Sequence, residues 1–274
     1  MEISSEYNQT RIAVPLEFEN VFTHFYFAEN NSDKAIIKTL LPTYQTILLF
    51  CFGESAYLTT KEKNILKVDK CIVFGPIRQS FEYTLPSKTS ILVANFKDDA
   101  FYRFFGKIHQ NTMMNADDLL AENCFTTLWK EISTLTPPEK QVDHILSFCL
   151  PYLKRPDATS LLLSQFKNKN ANPIKTIAEQ TNQSERNIQL KHKKQFGYSS
   201  KEINRYNRFL HAIKTIEKEI EKKHTIEWFH IIDECNYYDQ SQLIHDFKYF
   251  IGVSPSQYLK FQEDICNPRS DSSK

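Results

Sequence analysis

From Gln240 to Ile251 the chain reads QSQLIHDFKYFI. At ~100° per residue along a helix, Leu243 and Phe247 share one side, and Ser241, His245 and Lys248 share the other. Gln240, Gln242 and Ile244 flank the polar side. The set offers a hydroxyl, an imidazole, an ammonium and two amides, with no nucleophile beside a base. Its chemistry is hydrogen bonding toward whatever lies along the helix, water or a partner. An earlier stretch, ERNIQLKHKK from Glu185, has the same design. Ile188 and His192 point inward. Arg186, Leu190 and Lys193 lie opposite, flanked by Asn187 and Gln189.

Other chemistry finds little support. Cys51, Cys71, Cys124, Cys149, Cys235 and Cys266 are scattered, with no C-x-x-C and no Cys/His cluster. They read as reduced cytosolic thiols, and none has the neighbours that activate a nucleophilic cysteine, as a methyl-acceptor repair protein requires. Glycine occurs at only 5 positions and forms no phosphate-cradling loop. The first ~105 residues hold one histidine, His24, and no H-x-H pair, so no metal or cofactor is expected. No catalytic residue is assigned. The formal net charge of +1 names no partner. MEISSEYNQTRIAVP lacks the layout of a secretory signal, and the apolar run ILLFCF is too short to span a bilayer.

The elements that must position the polar faces follow from periodicity. To about Phe105 the chain reads as short strands (VFTHFYFAE, TILLFCFGE, KCIVFGP, TSILVANF) punctuated by Pro42, Gly53, Gly75, Pro76 and Pro86. This predicts a small barrel or sandwich. FKDDAFYRFFG adds a short helix. Phe22, Phe25, Tyr26, Phe27 and Tyr44 either line an apolar effector pocket or form simple core, the commoner role. ADDLLAENCFTTLWKEIS places Leu120, Cys124, Leu128 and Ile132 at spacing four. QVDHILSFCLPYL does the same for Val142, Ile145, Leu146, Cys149, Leu150 and Leu153. KRPDA is a break, and FKNKNANP is the clearest linker.

Beyond Pro173 everything reads as helix, with an internal repeat. IAEQTNQSERNIQLKHKKQFGYSSKEINRY and IIDECNYYDQSQLIHDFKYFIGVSPSQYLKF align Asn182 with Asn236, Gly197 with Gly252, and Ser199-Ser200 with Ser254-Pro255. RFLHAIKTIEKEIEKKH joins them as a helix. Each copy is a short helix, a tight turn at an Asn suited to left-handed backbone, and a longer helix capped by Ser184 or Asp239. This is the helix-turn-helix arrangement, whose second helix can enter the DNA major groove. Gln can pair with adenine, Arg with guanine, and an apolar side chain can meet a thymine methyl. Lysines and helix N-termini would hold phosphates.

These residues resemble a known family. The segment from about Pro173 to Phe261, most strongly YYDQSQLIHDFKYFIGVSPSQYL, is similar to the AraC/XylS-type DNA-binding domain. The resemblance implies two helix-turn-helix units on a long helix, with recognition helices at about 184–195 and 239–250. Arg186 and Gln189 would face bases in the first unit, and Gln240, Gln242 and His245 in the second. VFTHFYFAE, LLPTYQTILLFCFGE and FGPIRQ resemble an uncharacterised sensor-like domain. In the wider family such a domain is a cupin-like barrel that binds a small effector or mediates dimerisation. The first motif departs from the pattern at Leu190, usually Arg, at His192, usually Phe, and at Ser200, usually Pro. Asn182 and Asn236 replace turn glycines.

The expectation is an α+β chain of two domains, a β-rich cupin-like barrel ending in helices and then an all-α double helix-turn-helix. The expected boundaries are a sensor or oligomerisation domain over 1–110, a helical middle over 111–168, the DNA-binding domain over 169–266 and a tail over 267–274. The expected function is sequence-specific transcription regulation in the cytoplasm on double-stranded DNA, without enzymatic chemistry and away from membranes. A small-molecule effector, a homodimer and contact with RNA polymerase are left open as further partners. The alternative is an adaptor whose degenerate helix pair binds another regulator. Basic residues concentrate in the first copy and its connecting helix (Lys175, Arg186, Lys191, Lys193, Lys194, Lys201, Arg205, Arg208, Lys214), while Thr215 to Phe261 is acid-rich. The first copy should therefore supply most of the affinity. Neutralising Lys191, Lys193 and Lys194 together is expected to weaken DNA binding and flatten its salt dependence; an unchanged slope in a salt titration would refute this division of labour.

Overall fold

The computed structural model describes residues 6–61, 63–106, 113–119, 123–166, 172–222 and 226–266. Two compact units divide the chain, 1–200 and 201–274.

The first unit is built on β1 (Tyr7–Ile12), β2 (Phe22–Asn30), β3 (Ile36–Leu40), β4 (Ile47–Gly53), β5 (Ala56–Thr59), β6 (Ile65–Val68), β7 (Cys71–Phe74), β8 (Phe81–Leu85), β9 (Thr89–Phe96) and β10 (Met113–Asn115). They pair antiparallel in two sheets, ordered β1-β2-β9-β4-β7-β10 and β3-β8-β5-β6. Among the described residues no ladder joins the sheets, so they face each other as a sandwich and do not close into the expected barrel.

The apolar run ILLFCF now has a cause. Strand β4 is central and covered on both faces, so alternate residues enter different cores. Ile47, Leu49 and Cys51 join Leu58, Ile72, Leu85 and Val93 between the sheets. Leu48, Phe50 and Phe52 point the other way, toward helices α1 (Ala100–Phe105), α2 (Cys124–Ile132) and α3 (Pro138–Cys149). Phe125, Leu128, Ile132, Val142, Ile145 and Leu146 supply the helical side of that second core. The helix spacing read from the sequence therefore holds for these residues. It fails at Leu150 and Leu153, which are exposed because α3 ends at Cys149 and a short 3-10 turn follows. Leu120 lies outside the described residues, as does most of the FKNKNANP segment.

The five aromatics considered for a pocket do not share one. Phe22 and Phe25 are buried in the helix-facing core, with Phe27 packed against it. Tyr26 lies on the opposite face, where its hydroxyl is 3.1 Å from that of Tyr7 and 3.4 Å from that of Tyr83, a cluster that links the two sheets. Tyr44 packs edge-on against Tyr198 with ring centroids 5.2 Å apart. His24 sits 3.2 Å from an Arg11 nitrogen, and burial together with that cation lowers its pKa to about 4. A neighbouring guanidinium opposes any metal cation at this ring.

Three further helices complete the first unit: α4 (Ala158–Gln165), α5 (Pro173–Thr181) and α6 (Glu185–Phe196). The second unit contains α7 (Ser200–Glu221), which begins at the boundary, α8 (Trp228–Glu234), α9 (Gln240–Ile251) and α10 (Pro255–Cys266). Among the described residues no helix is long and apolar enough to cross a membrane.

Two glycines separate backbone strain from steric conflict. Gly53 ends β4 at φ 77°, and a Cβ there would fall 2.0 Å from the Lys88 carbonyl oxygen. Gly106 has φ 75° but open space around it. Gly106→Ala is expected to cost only the ~1–3 kcal/mol of a strained positive φ. Gly53→Ala should cost distinctly more because the backbone of its neighbour must move. Denaturant unfolding of both variants, read against the parent chain, checks the order.

Candidate nucleic-acid interface

The two repeats match atom for atom at their turns. In the first, α5 ends at Asn182 with φ 50°, and the Gln183 N–H reaches the Ala178 carbonyl at 2.9 Å. In the second, α8 ends near Asn236 with φ 58°, and the Tyr237 N–H reaches the Ile232 carbonyl at 2.9 Å. The side-chain amide of Asn makes left-handed backbone tolerable here. The following helix is capped in the same way both times. Ser184 Oγ accepts from the Asn187 N–H at 3.2 Å, and Asp239 Oδ1 accepts from the Gln242 N–H at 2.8 Å. Both helices stop on a left-handed glycine, Gly197 or Gly252. Each device satisfies helix-end groups that would otherwise lose hydrogen bonds.

The faces fall where the periodicity put them. In α6, Ile188 and His192 are buried, while Arg186, Asn187, Gln189, Leu190 and Lys193 are exposed. In α9, Leu243 and Phe247 have no exposed surface, while Gln240, Ser241, His245 and Lys248 are exposed. Gln242 is half-buried, and its side-chain carbonyl accepts from the Tyr238 N–H at 2.9 Å, which commits that end of the amide to the helix start. Leu190 is 58 % exposed, an apolar side chain set among polar neighbours. Tyr238, 92 % exposed, stands immediately before α9 and was not anticipated as part of this surface. A notch of about 220 Å³ beside α9 is lined by residues including Trp228, Gln240, Lys248, Ser254 and Ser256.

The supports of the two helices differ. In the first unit, α6 packs on α5 and α4. Gln195 donates to Asp157 at 2.5 Å and accepts from Ser160 at 2.8 Å. Residues between the strands and from α1 also reach the last turn of this helix and the chain just after it. Arg78 donates to the Gly197 carbonyl, Tyr44 meets Tyr198, and Lys194 Nζ lies 5.6 Å from the centre of the Tyr102 ring. His192 stacks on Phe196 at 4.8 Å, and its Nδ1 is 2.7 Å from the Tyr198 carbonyl. His192 thus packs as one more ring beside Phe196 and Tyr198.

In the second unit, α9 rests on α7. Phe209 meets Phe247 and Phe250 with centroids 5.1 Å and 4.7 Å apart. Between the helices lies Asp246, 1 % exposed. Arg205 Nε donates to one of its oxygens at 2.6 Å, and Arg208 Nη2 donates to the other at 3.0 Å. Charge counting along the chain treats Arg205 and Arg208 as cations available to a partner and Asp246 as a carboxylate repelling phosphates. All three are instead engaged with one another inside the unit.

Removing one member of a buried ion set leaves the other charges uncompensated. Asp246→Ala is expected to destabilise the second unit toward the lower end of ~3–5 kcal/mol, since both arginines reach solvent. Urea unfolding of the full chain, followed by a probe in α7–α10, checks this; a loss below ~1 kcal/mol would place the ion set among ordinary surface pairs.

Comparisons with known proteins bear on this geometry. Residues 223–260, which hold the turn at Asn236 and all of α9, match the family described as bacterial regulatory helix-turn-helix proteins, AraC family. No curated protein sequence matches the chain. Among solved structures, ToxT from Vibrio cholerae in its P21 form is 12 % identical, covers 93 % of this chain and 98 % of its own, and superposes with a TM-score of 0.38. An unsaturated fatty acid-bound ToxT from Vibrio cholerae strain SCE256 is 14 % identical, covers 94 % of this chain and 96 % of its own, and gives a TM-score of 0.38. An RmlC-like cupin protein from Desulfovibrio desulfuricans, 9 % identical, covers 34 % of this chain and 83 % of its own at a TM-score of 0.26. Over residues 223–260 this chain carries the helix-turn-helix of the AraC family of bacterial regulatory proteins.

Proposed function

We propose that the protein is a sequence-specific DNA-binding transcription regulator that acts in the cytoplasm and performs no chemistry. The observation that carries this reading is the AraC-type unit whose second helix, α9, is capped, clamped and polar outward. Gln240, Ser241, Gln242, His245 and Lys248 would meet the groove from α9, and Arg186, Gln189, Leu190 and Lys193 from α6. His245, Gln189 and Arg186 suit base edges, and Leu190 suits a thymine methyl. Lys193 and Lys248 suit phosphates, and the exposed Tyr238 hydroxyl is a further phosphate donor.

Regulation enters through the strand region, because α6 lies within the same compact unit as the two sheets. Arg78, Tyr44 and Tyr102 hold the end of α6 and the chain after it. A small effector or a second subunit that shifts these groups would change how α6 is presented. Dimerisation and contact with RNA polymerase extend the same reading. The adaptor alternative draws on the exposed Phe229 beside exposed Glu227, Asp233 and Glu234 on the second unit.

The test uses the full chain, since a fragment starting near residue 170 would lose the partners that support α6. Selection from random duplexes should enrich a bipartite site. Arg186→Ala should relax one half and His245→Ala the other, each by roughly five- to hundredfold in base preference, the range expected for good base contacts of ~1–3 kcal/mol. Capture of a protein partner without any enriched sequence would support the adaptor.

A further inference from the structure

His245 and Asp246 are neighbours on α9, and Arg205 of α7 touches both. Its Nε donates to Asp246 Oδ1 at 2.6 Å, while its Nη2 lies 3.0 Å from His245 Nδ1. The guanidinium carbon lies over the Tyr249 ring, 4.3 Å from its centre. A guanidinium has donors only and keeps its charge in proteins. The ring nitrogen it meets must therefore accept. Asp246 Oδ1 is 3.9 Å from that same nitrogen, beyond hydrogen-bond reach, and is already taken by Arg205. The charged groups around the imidazole are thus Arg205 from α7, Asp246 from α9, and Arg208 of α7 through the second oxygen of Asp246. With Nδ1 accepting, the single N–H of the neutral ring sits on Nε2. His245 belongs to the exposed face with Ser241 and Lys248, and its side chain is 73 % exposed.

We propose that Arg205, through its contact with Nδ1, sets the base preference of His245 by presenting Nε2–H as a fixed donor. This rests on the reading of α9 as the helix that enters the groove. A donor at this place selects bases that present an acceptor in the major groove: N7 or O6 of guanine, N7 of adenine, or O4 of thymine. It disfavours the amino group of cytosine. Arg205 itself touches no base. It acts as a positioning residue, oriented by Asp246 below and Tyr249 beside it. An imidazole free to exchange tautomers would read donors and acceptors with less distinction.

Two measurements test the proposal on the full chain. The first is nitrogen-15 NMR of the histidine rings without DNA, with the His245 signals assigned by their loss in His245→Gln. The Nε2–H form with an accepting Nδ1 is expected in the parent, in Arg205→Lys, which keeps a donor-only cation, and in Arg208→Met. A tautomer mixture is expected in Arg205→Met. An Nδ1–H or doubly protonated ring in the parent, or an unchanged ring in a folded Arg205→Met, would overturn the proposal. Thermal melting of each variant establishes folding, and Arg205→Lys decides the matter if Arg205→Met does not fold, since loss of the Nε2–H form there would be equally fatal.

The second is sequence selection. Arg205→Met should relax the same base pair as His245→Ala, by at least fivefold, and the double variant should be no worse there than either single one. A selective parent whose preference survives Arg205→Met overturns this proposal alone. A parent that enriches no sequence overturns the DNA-binding reading, and the base-preference role falls with it whatever the ring state.

Discussion

A helix of a dozen residues is marginal in water unless something outside it holds its shape. Both α6 and α9 have 12 residues, and each must turn one whole side to solvent. That constraint accounts for the local chemistry around them. Neither helix can rely on burial all round, so its ends carry side-chain caps, left-handed Asn entries and left-handed Gly exits. Each also has one densely packed inner face. A polar helix face is useful for recognition only if its side chains start from fixed positions, because ordering a loose helix on binding would cancel part of what the contacts contribute.

The two helices meet the constraint by different means. Helix α6 draws its support from its own unit's strand region and from the amide of Gln195 on Asp157 and Ser160. Helix α9 draws its support from α7, through stacked Phe rings and the buried carboxylate of Asp246. The first arrangement joins the end of the helix to residues between the strands and to α1. The second ties it to a 22-residue helix and to a charge set that tolerates little movement. One polar face thus rests on neutral hydrogen bonds and ring contacts, and the other on a buried ion set.

Much of this was legible in the sequence, and the misses have physical causes. The strands read correctly, β2, β4, β7 and β9, all belong to the six-stranded sheet. β4 and β9 at its centre are covered on both faces and so read as apolar runs. The strands of the other sheet went unread because one of their faces is in water: Ile37 and Ile65 are exposed, and the alternation in KAIIKTL and NILKV is diluted by charge. The helix faces were legible because a 3.6-residue period survives in sequence, and the turns because Asn, Ser, Asp and Gly mark them. The engagement of Gln242 with Tyr238 was not legible, since a glutamine near a helix start can point outward or back.

The ion set explains why charge along the chain was the poorest guide. Arg205 and Arg208 lie in the basic stretch and Asp246 in the acidic one, so a linear count assigns them opposite effects on a polyanion. Folding brings them together, and at 2.6 Å and 3.0 Å they answer each other before any partner arrives. The second helix is then less hostile to phosphate than its neighbours in sequence imply, and the first stretch less generous. With fewer free charges on both sides, the long-range pull on a nucleic acid falls and the short-range geometry of a few donors weighs more. Helix α9 carries one lysine, Lys248, and the rest of its exposed face is made of hydrogen-bonding groups, Gln240, Ser241 and His245. What holds His245 on that face lies beneath the helix, in Arg205 of α7 and the buried Asp246 that anchors it.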